Sequence, residues 1–137
     1  MKKEEAIDLI RDAGFGYLAT IEGGNQPRVR PMMPYLLEDE KRLLVAFLGR
    51  SRSIADIKKN PRVEFCFVDR KMWYCRVAGH AKISADIDKK TILWDNIPML
   101  KQYFGSPEDP NFVLAEVDID WAEAMTPHQK LPDVIQF

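Results

Sequence analysis

Six runs of strand-forming residues follow one another along this chain, and most links between them are too short to hold a crossover helix. Phe15 to Glu22 alternates in character and meets the turn Gly23-Gly24-Asn25, from which Pro27 to Leu37 returns. Glu38 to Lys41 turns the chain into Arg42 to Leu48, a strongly apolar run. Arg62 to Asp69 and Met72 to Ala85 meet across Asp69-Arg70-Lys71, and Phe112 to Met125 is the last run. Parallel strands need long crossovers, so these links predict a mainly β, antiparallel barrel rather than a βαβ sheet. Side chains fill the interior of so small a barrel, and a ligand is therefore expected at a rim or a subunit interface.

Three helical segments flank the strands. Ala6, Ile7, Ile10 and Ala13 have helical spacing within Lys3 to Ala13, and Gly14 is a natural stop. Ser51 to Lys59 turns Ile54 and Ile57 inward and halts at Asn60-Pro61. Asp86 to Phe104 is predicted helical in two pieces parted by Pro98. Beyond Thr126-Pro127 the chain reads as a short tail with no element assigned. Pro27, Pro31 and Pro34 cannot donate to a ladder, so the second strand must be irregular or lie at an edge.

Bulk properties narrow the function. The 137 residues suit one domain spanning 1–137. A formal net charge of -1 gives no basic field for nucleic acid. No apolar run reaches the roughly 18 residues that span a bilayer, and Met1 to Glu5 is too polar for a signal peptide, so a cytoplasmic location is expected. Cys66 and Cys75 form no CxxC pair and have no histidine at ligand spacing, which reads as two buried thiols and no metal site.

The chemistry gathers in two short stretches. Arg28 and Arg30 share one face of a strand, because side chains alternate with period two. Ser51, Arg52 and Ser53 open a helix, where free backbone N–H groups favour an anion and a guanidinium adds charge-assisted contacts. Together they sketch a site for a phosphorylated ligand. Spacing offers no nucleophile–base pair and no glycine-rich phosphate loop.

The order of Gly16 to Thr20, Pro27 with Arg30-Pro31-Met32, Ser51-Arg52 ahead of Asn60-Pro61-Arg62-Val63, Val77 to Ala81, Tyr103-Phe104-Gly105 and Asp109-Pro110 resembles a known family. It is that of the pyridoxamine 5'-phosphate oxidase-like, FMN-binding split-barrel proteins, particularly short bacterial members of general-stress and nitroimidazole-resistance type. The resemblance implies a six-stranded antiparallel Greek-key split β-barrel with short flanking helices, and a homodimer holding two FMN molecules at its interface. By position, Arg30, Pro31 and Met32 would line the flavin ring and ribityl chain, Ser51 and Arg52 would hold the phosphate, and Tyr74 would reach a flavin from the second subunit. Two departures stand out: Ser53 occupies a place where many members carry lysine, and no match is found for the C-terminal arginine and histidine of the vitamin-oxidising members. The implied activity is an FMN-dependent oxidoreductase with a small-molecule electron donor or acceptor, other than a true pyridoxamine phosphate oxidase. The alternatives are a flavin- or haem-binding module without turnover and a deazaflavin-dependent reductase.

Overall fold

A computed structural model describes all 137 residues. In chain order it comprises α1 (Lys3–Asp12), β1 (Gly16–Ile21), β2 (Pro27–Met32), β3 (Tyr35–Leu36), β4 (Arg42–Leu48) and α2 (Arg52–Lys59). There follow β5 (Arg62–Val68), β6 (Tyr74–Ser84), α3 (Ile87–Asn96), a 3₁₀ helix (Pro98–Gln102), β7 (Phe112–Met125) and β8 (Asp133–Ile135). The sheet runs β2-β1-β5-β6-β7-β4-β3, with β8 also on β7, and every pairing is antiparallel.

The sheet curls into a split barrel. Its strand count departs from the six expected, and both additions have a physical cause. The run Pro27 to Leu37 divides at Met33-Pro34 into β2 and β3, which lie at opposite ends of the strand order. Pro34 cannot donate to a ladder and holds Met33 out of the helical region, so the chain steps from one sheet edge to the other and bridges the split. β2, which carries Pro27 and Pro31, and β3, which follows Pro34, are both edge strands, and on an edge a missing N–H that faces outward costs no ladder bond. The tail supplies the other addition: β8 pairs with Ala122 to Ala124 and buries Ile135 in the core.

Two apolar clusters hold the molecule. The larger fills the barrel with inward residues such as Leu18, Val45, Phe65, Phe67, Val77 and Val117, and α1 closes it with Ala6, Ile7, Leu9 and Ile10. The smaller packs Leu93, Ile97, Leu100 and Phe104 on Leu44, Phe112 and Leu114. β4 is thus covered on both faces, which is why it reads as an unbroken apolar run. Cys75 points into the core, but Cys66 is half-buried on the outer face. Their strands pair with Cys66 opposite Arg76 and Cys75 opposite Phe67, so neighbouring positions on β5 and β6 send the two thiols to opposite faces. No helix is long and apolar enough to cross a membrane.

Candidate functional site

α2 is fixed to the sheet by a buried carboxylate. Ser51 caps the helix by accepting a hydrogen bond from the Ser53 N–H at 3.2 Å. One turn on, Asp56 lies on the buried face and accepts from Thr20 Oγ1 at 2.9 Å. The same carboxylate accepts from Arg28 Nη2 at 2.6 Å and Nε at 3.1 Å, with Arg30 Nη2 at 3.8 Å. Burial alone would push the Asp56 carboxyl up; hydrogen bonds from Arg28 and Thr20, and the charges of Arg28 and Arg30, hold it below its ordinary range.

Arg28 and Arg30 share a strand face, yet they end in different places. Pro27, Val29 and Pro31 are exposed, whereas the two arginines turn to the half-buried side. Arg28 is occupied by Asp56. Arg30 instead donates from Nη1 to the Leu18 carbonyl at 3.1 Å and the Arg28 carbonyl at 3.3 Å. Burial, then Arg28, lowers the Arg30 guanidinium from its ordinary value; Asp56 opposes the shift and Arg52 adds to it.

At the mouth of the split lies a cavity of about 550 Å³. β2 and the link after it contribute Arg30, Pro31, Met32 and Met33, and the end of β4 contributes Ala46, Phe47 and Leu48. Ser51 and Ser53 come from the start of α2, Met99 and Leu100 from the 3₁₀ helix, and Tyr103 and Phe104 from the residues just after it. Phe15, ahead of β1, completes the lining. The wall is apolar except where Arg30, Ser51 and Ser53 meet, and no carboxylate, histidine or cysteine lines it. A second depression of about 540 Å³, on the outer face, is more polar, with Arg62, Glu64, His80 and Asp120 in its lining.

Five residues singled out from the sequence, Arg30, Pro31, Met32, Ser51 and Ser53, meet on this one cavity. Three do not line it. Arg28 is turned to Asp56, and Arg52 is exposed in the first turn of α2. Tyr74 is half-buried on β6, its hydroxyl donating to Met125 Sδ at 3.4 Å.

The sequence reading missed the far wall and Asp56. Leu100 and Phe104 are core, as their spacing suggests, but Met99 and Tyr103 remain 42% and 57% exposed and face the cavity from the same segment. Asp56 had a signal of its own: an acid between Ile54 and Ile57, on the apolar side of an amphipathic helix.

The split barrel thus carries an apolar cavity ended by a guanidinium and two hydroxyls. Residues 2–136 match the family model described as pyridoxamine 5'-phosphate oxidase like, and the chain belongs to that family. It is 26% identical over 137 residues to General stress protein 26 of Bacillus subtilis (strain 168), covering 95% of this chain and 92% of that protein. The crystal structure of General Stress Protein 26 from Bacillus anthracis str. Sterne superposes with a TM-score of 0.82 at 30% identity, covering 98% of each chain. A pyridoxamine 5'-phosphate oxidase-related, FMN binding protein from Nostoc punctiforme PCC 73102 shares the fold, with a TM-score of 0.74 at 18% identity over 96% of this chain and 85% of that one.

Proposed function

We propose that the cavity at the split binds FMN and that the chain, acting as a single FMN-binding domain over 1–137, is an FMN-dependent oxidoreductase of a small molecule. One observation carries this reading: an apolar wall and a cationic, hydroxyl-lined end belong to the same cavity. That combination suits a ligand aromatic at one end and phosphorylated at the other. Met32, Met33, Met99 and Tyr103 offer surface to a flat ring, while Arg30 and the start of α2, with Ser51 and Ser53, offer donors to a phosphate. A phosphate monoester carries about −1.5 to −2 at neutral pH. Arg28 and Arg30 against Asp56 leave one positive charge beside the cavity, and Arg52 adds another nearby. The family and the FMN-binding name of the Nostoc relative favour flavin over other ligands of this shape.

When bound, the flavin supplies the electron-transfer chemistry. The residues of the chain orient it through Arg30, Ser51 and Ser53, and the apolar wall keeps water from the ring. No carboxylate, histidine or cysteine lines the wall, so the chain would offer a substrate no such acid or base there.

The cavity is open on one side, and a second copy of the chain is the proposed cover. Phe15 and Pro31 stand at its rim, and the outer sheet face beside them exposes Tyr17, Val29 and Trp121. Patches of this kind mark interfaces. In such a homodimer Tyr74, on the outer side of β6, would be available to the neighbouring cavity.

The test is the absorbance of the purified protein, followed by titration with FMN. We expect oxidised-flavin bands that an anaerobic nicotinamide donor bleaches, and a loss of affinity of roughly tenfold to a hundredfold in Arg30→Ala. Flavin that stays bound but is never reduced by any donor would make the protein a carrier. A colourless protein that takes up no FMN would end the reading.

A further inference from the structure

Asp56 offers a single oxygen, Oδ2, to all its partners: Thr20 Oγ1, Arg28 Nη2 and Nε, and the more distant Arg30 Nη2. Two guanidiniums on one strand face therefore compete for one buried carboxylate, and Arg28 holds it. At 3.8 Å, Arg30 Nη2 is outside hydrogen-bond range, and its Nη1 is anchored on two backbone carbonyls instead. A buried carboxylate deprived of its charged partner is strongly unfavourable. Were Arg28 neutral, Arg30 would need to travel only about 1 Å to make a charge-assisted bond to Asp56, and that movement would draw it off the cavity.

We propose that Arg28 is a positioning residue: by saturating Asp56 it leaves the Arg30 guanidinium to the ligand in the cavity. The inference rests on the flavin reading above and adds a residue that does not touch the ligand. It explains why two arginines accompany one carboxylate. Asp56 is needed to dock α2, and with it Ser51 and Ser53, on Thr20 of β1; unopposed, the same carboxylate would capture the cation that the cavity uses. The influence of Arg28 on Arg30 also exceeds that of Asp56, so Arg30 remains a cation short of counter-charge, the condition in which an anionic ligand gains most from meeting it.

The experiment is a double-mutant cycle read by FMN affinity, measured through quenching of flavin fluorescence, together with a flavin-free crystal structure of Arg28→Gln. Arg28→Gln should weaken FMN roughly tenfold to a hundredfold, with Arg30 shifted to within about 3 Å of Asp56. Adding Asp56→Asn should return the affinity to within about threefold of wild type, since Arg30 then has no carboxylate to pair with. Asp56→Asn alone should bind FMN at least as tightly as wild type. It keeps an acceptor oxygen for Thr20 and Arg28, and so decides the matter even if Arg28→Gln fails to fold. If Arg28 serves only to clamp α2, the second substitution should weaken the clamp further and recover nothing. A double variant no better than Arg28→Gln, an Arg30 that stays where it is, or a weaker Asp56→Asn would each overturn the proposal. A wild-type protein that binds no FMN would overturn the flavin reading and the proposal with it, whereas a wild type that binds FMN beside an Arg28→Gln whose Arg30 has not moved would overturn this proposal alone.

Discussion

Glu116→Gln should destabilise the protein by about 1–2 kcal/mol at neutral pH and by almost nothing in acid. Glu116 lies on the outer side of β7 at 2% exposure, accepting from Lys89 Nζ at 2.6 Å and Arg42 Nη1 at 3.3 Å. It ties the start of α3 to the sheet, and α3 leads into the 3₁₀ segment whose Met99 and Tyr103 wall the cavity. Stripping a fully buried ion pair of one partner costs about 3–5 kcal/mol, but that figure is too large here. The Lys89 and Arg42 side chains are 24% and 31% exposed, so freed cations regain water. Arg42 also keeps Asp118 at 2.7 Å, and Lys89 keeps Asp86 at 3.6 Å. What is lost is one charge-assisted hydrogen bond, about 1.5–3 kcal/mol before rehydration. Burial pushes the Glu116 carboxyl up, but hydrogen bonds from Lys89 and Ser84 and the charges of Lys89 and Lys82 bring it below its ordinary value. A carboxyl lowered in the folded state stabilises above its unfolded value of about 4.3 and loses that contribution as pH falls through the folded value. Urea unfolding of wild type and Glu116→Gln between about pH 7 and pH 3 should therefore show a gap that closes in acid. A gap independent of pH, or a variant as stable as wild type at neutrality, would refute the argument.

Two further outcomes follow from the packing of the core. A Cβ on Gly79 would lie 2.2 Å from the Asp118 carbonyl oxygen and 2.9 Å from Val117 Cγ1, where the β6–β7 register shifts; Gly79→Ala should cost at least about 2 kcal/mol by urea unfolding, and an unchanged midpoint would contradict the close approach of these strands. Cys75 is fully buried, its thiol pushed up to about 12 chiefly by burial, so iodoacetamide should not alkylate it in the native protein. Mass spectrometry showing Cys75 labelled as fast as the half-buried Cys66 would count against that core.

Local pattern carried the element plan and part of the site. The helix over Ser51 to Lys59 opens on a serine cap and ends before Pro61, both short-range signals, and the structure starts it one residue later with Ser51 as cap. The period of two that pairs Arg28 with Arg30 also needs only neighbouring residues. Met99 and Tyr103 were harder to read, because a helical segment with two apolar faces does not say which face meets the core. The sheet took Leu100 and Phe104, leaving the other pair for the cavity.

From the amino-acid order alone come six strand runs without β8, the helices, an irregular or edge setting for the proline-rich strand and the cluster of cationic and hydroxyl residues, because each is a matter of side-chain alternation or backbone chemistry within a few positions. Only the folded chain decides that β2 and β3 part to opposite ends of the sheet, and which of two equivalent arginines faces the cavity. Asp56 breaks that tie from 28 positions beyond Arg28, and a choice made by a distant buried charge is invisible until α2 has docked on the sheet.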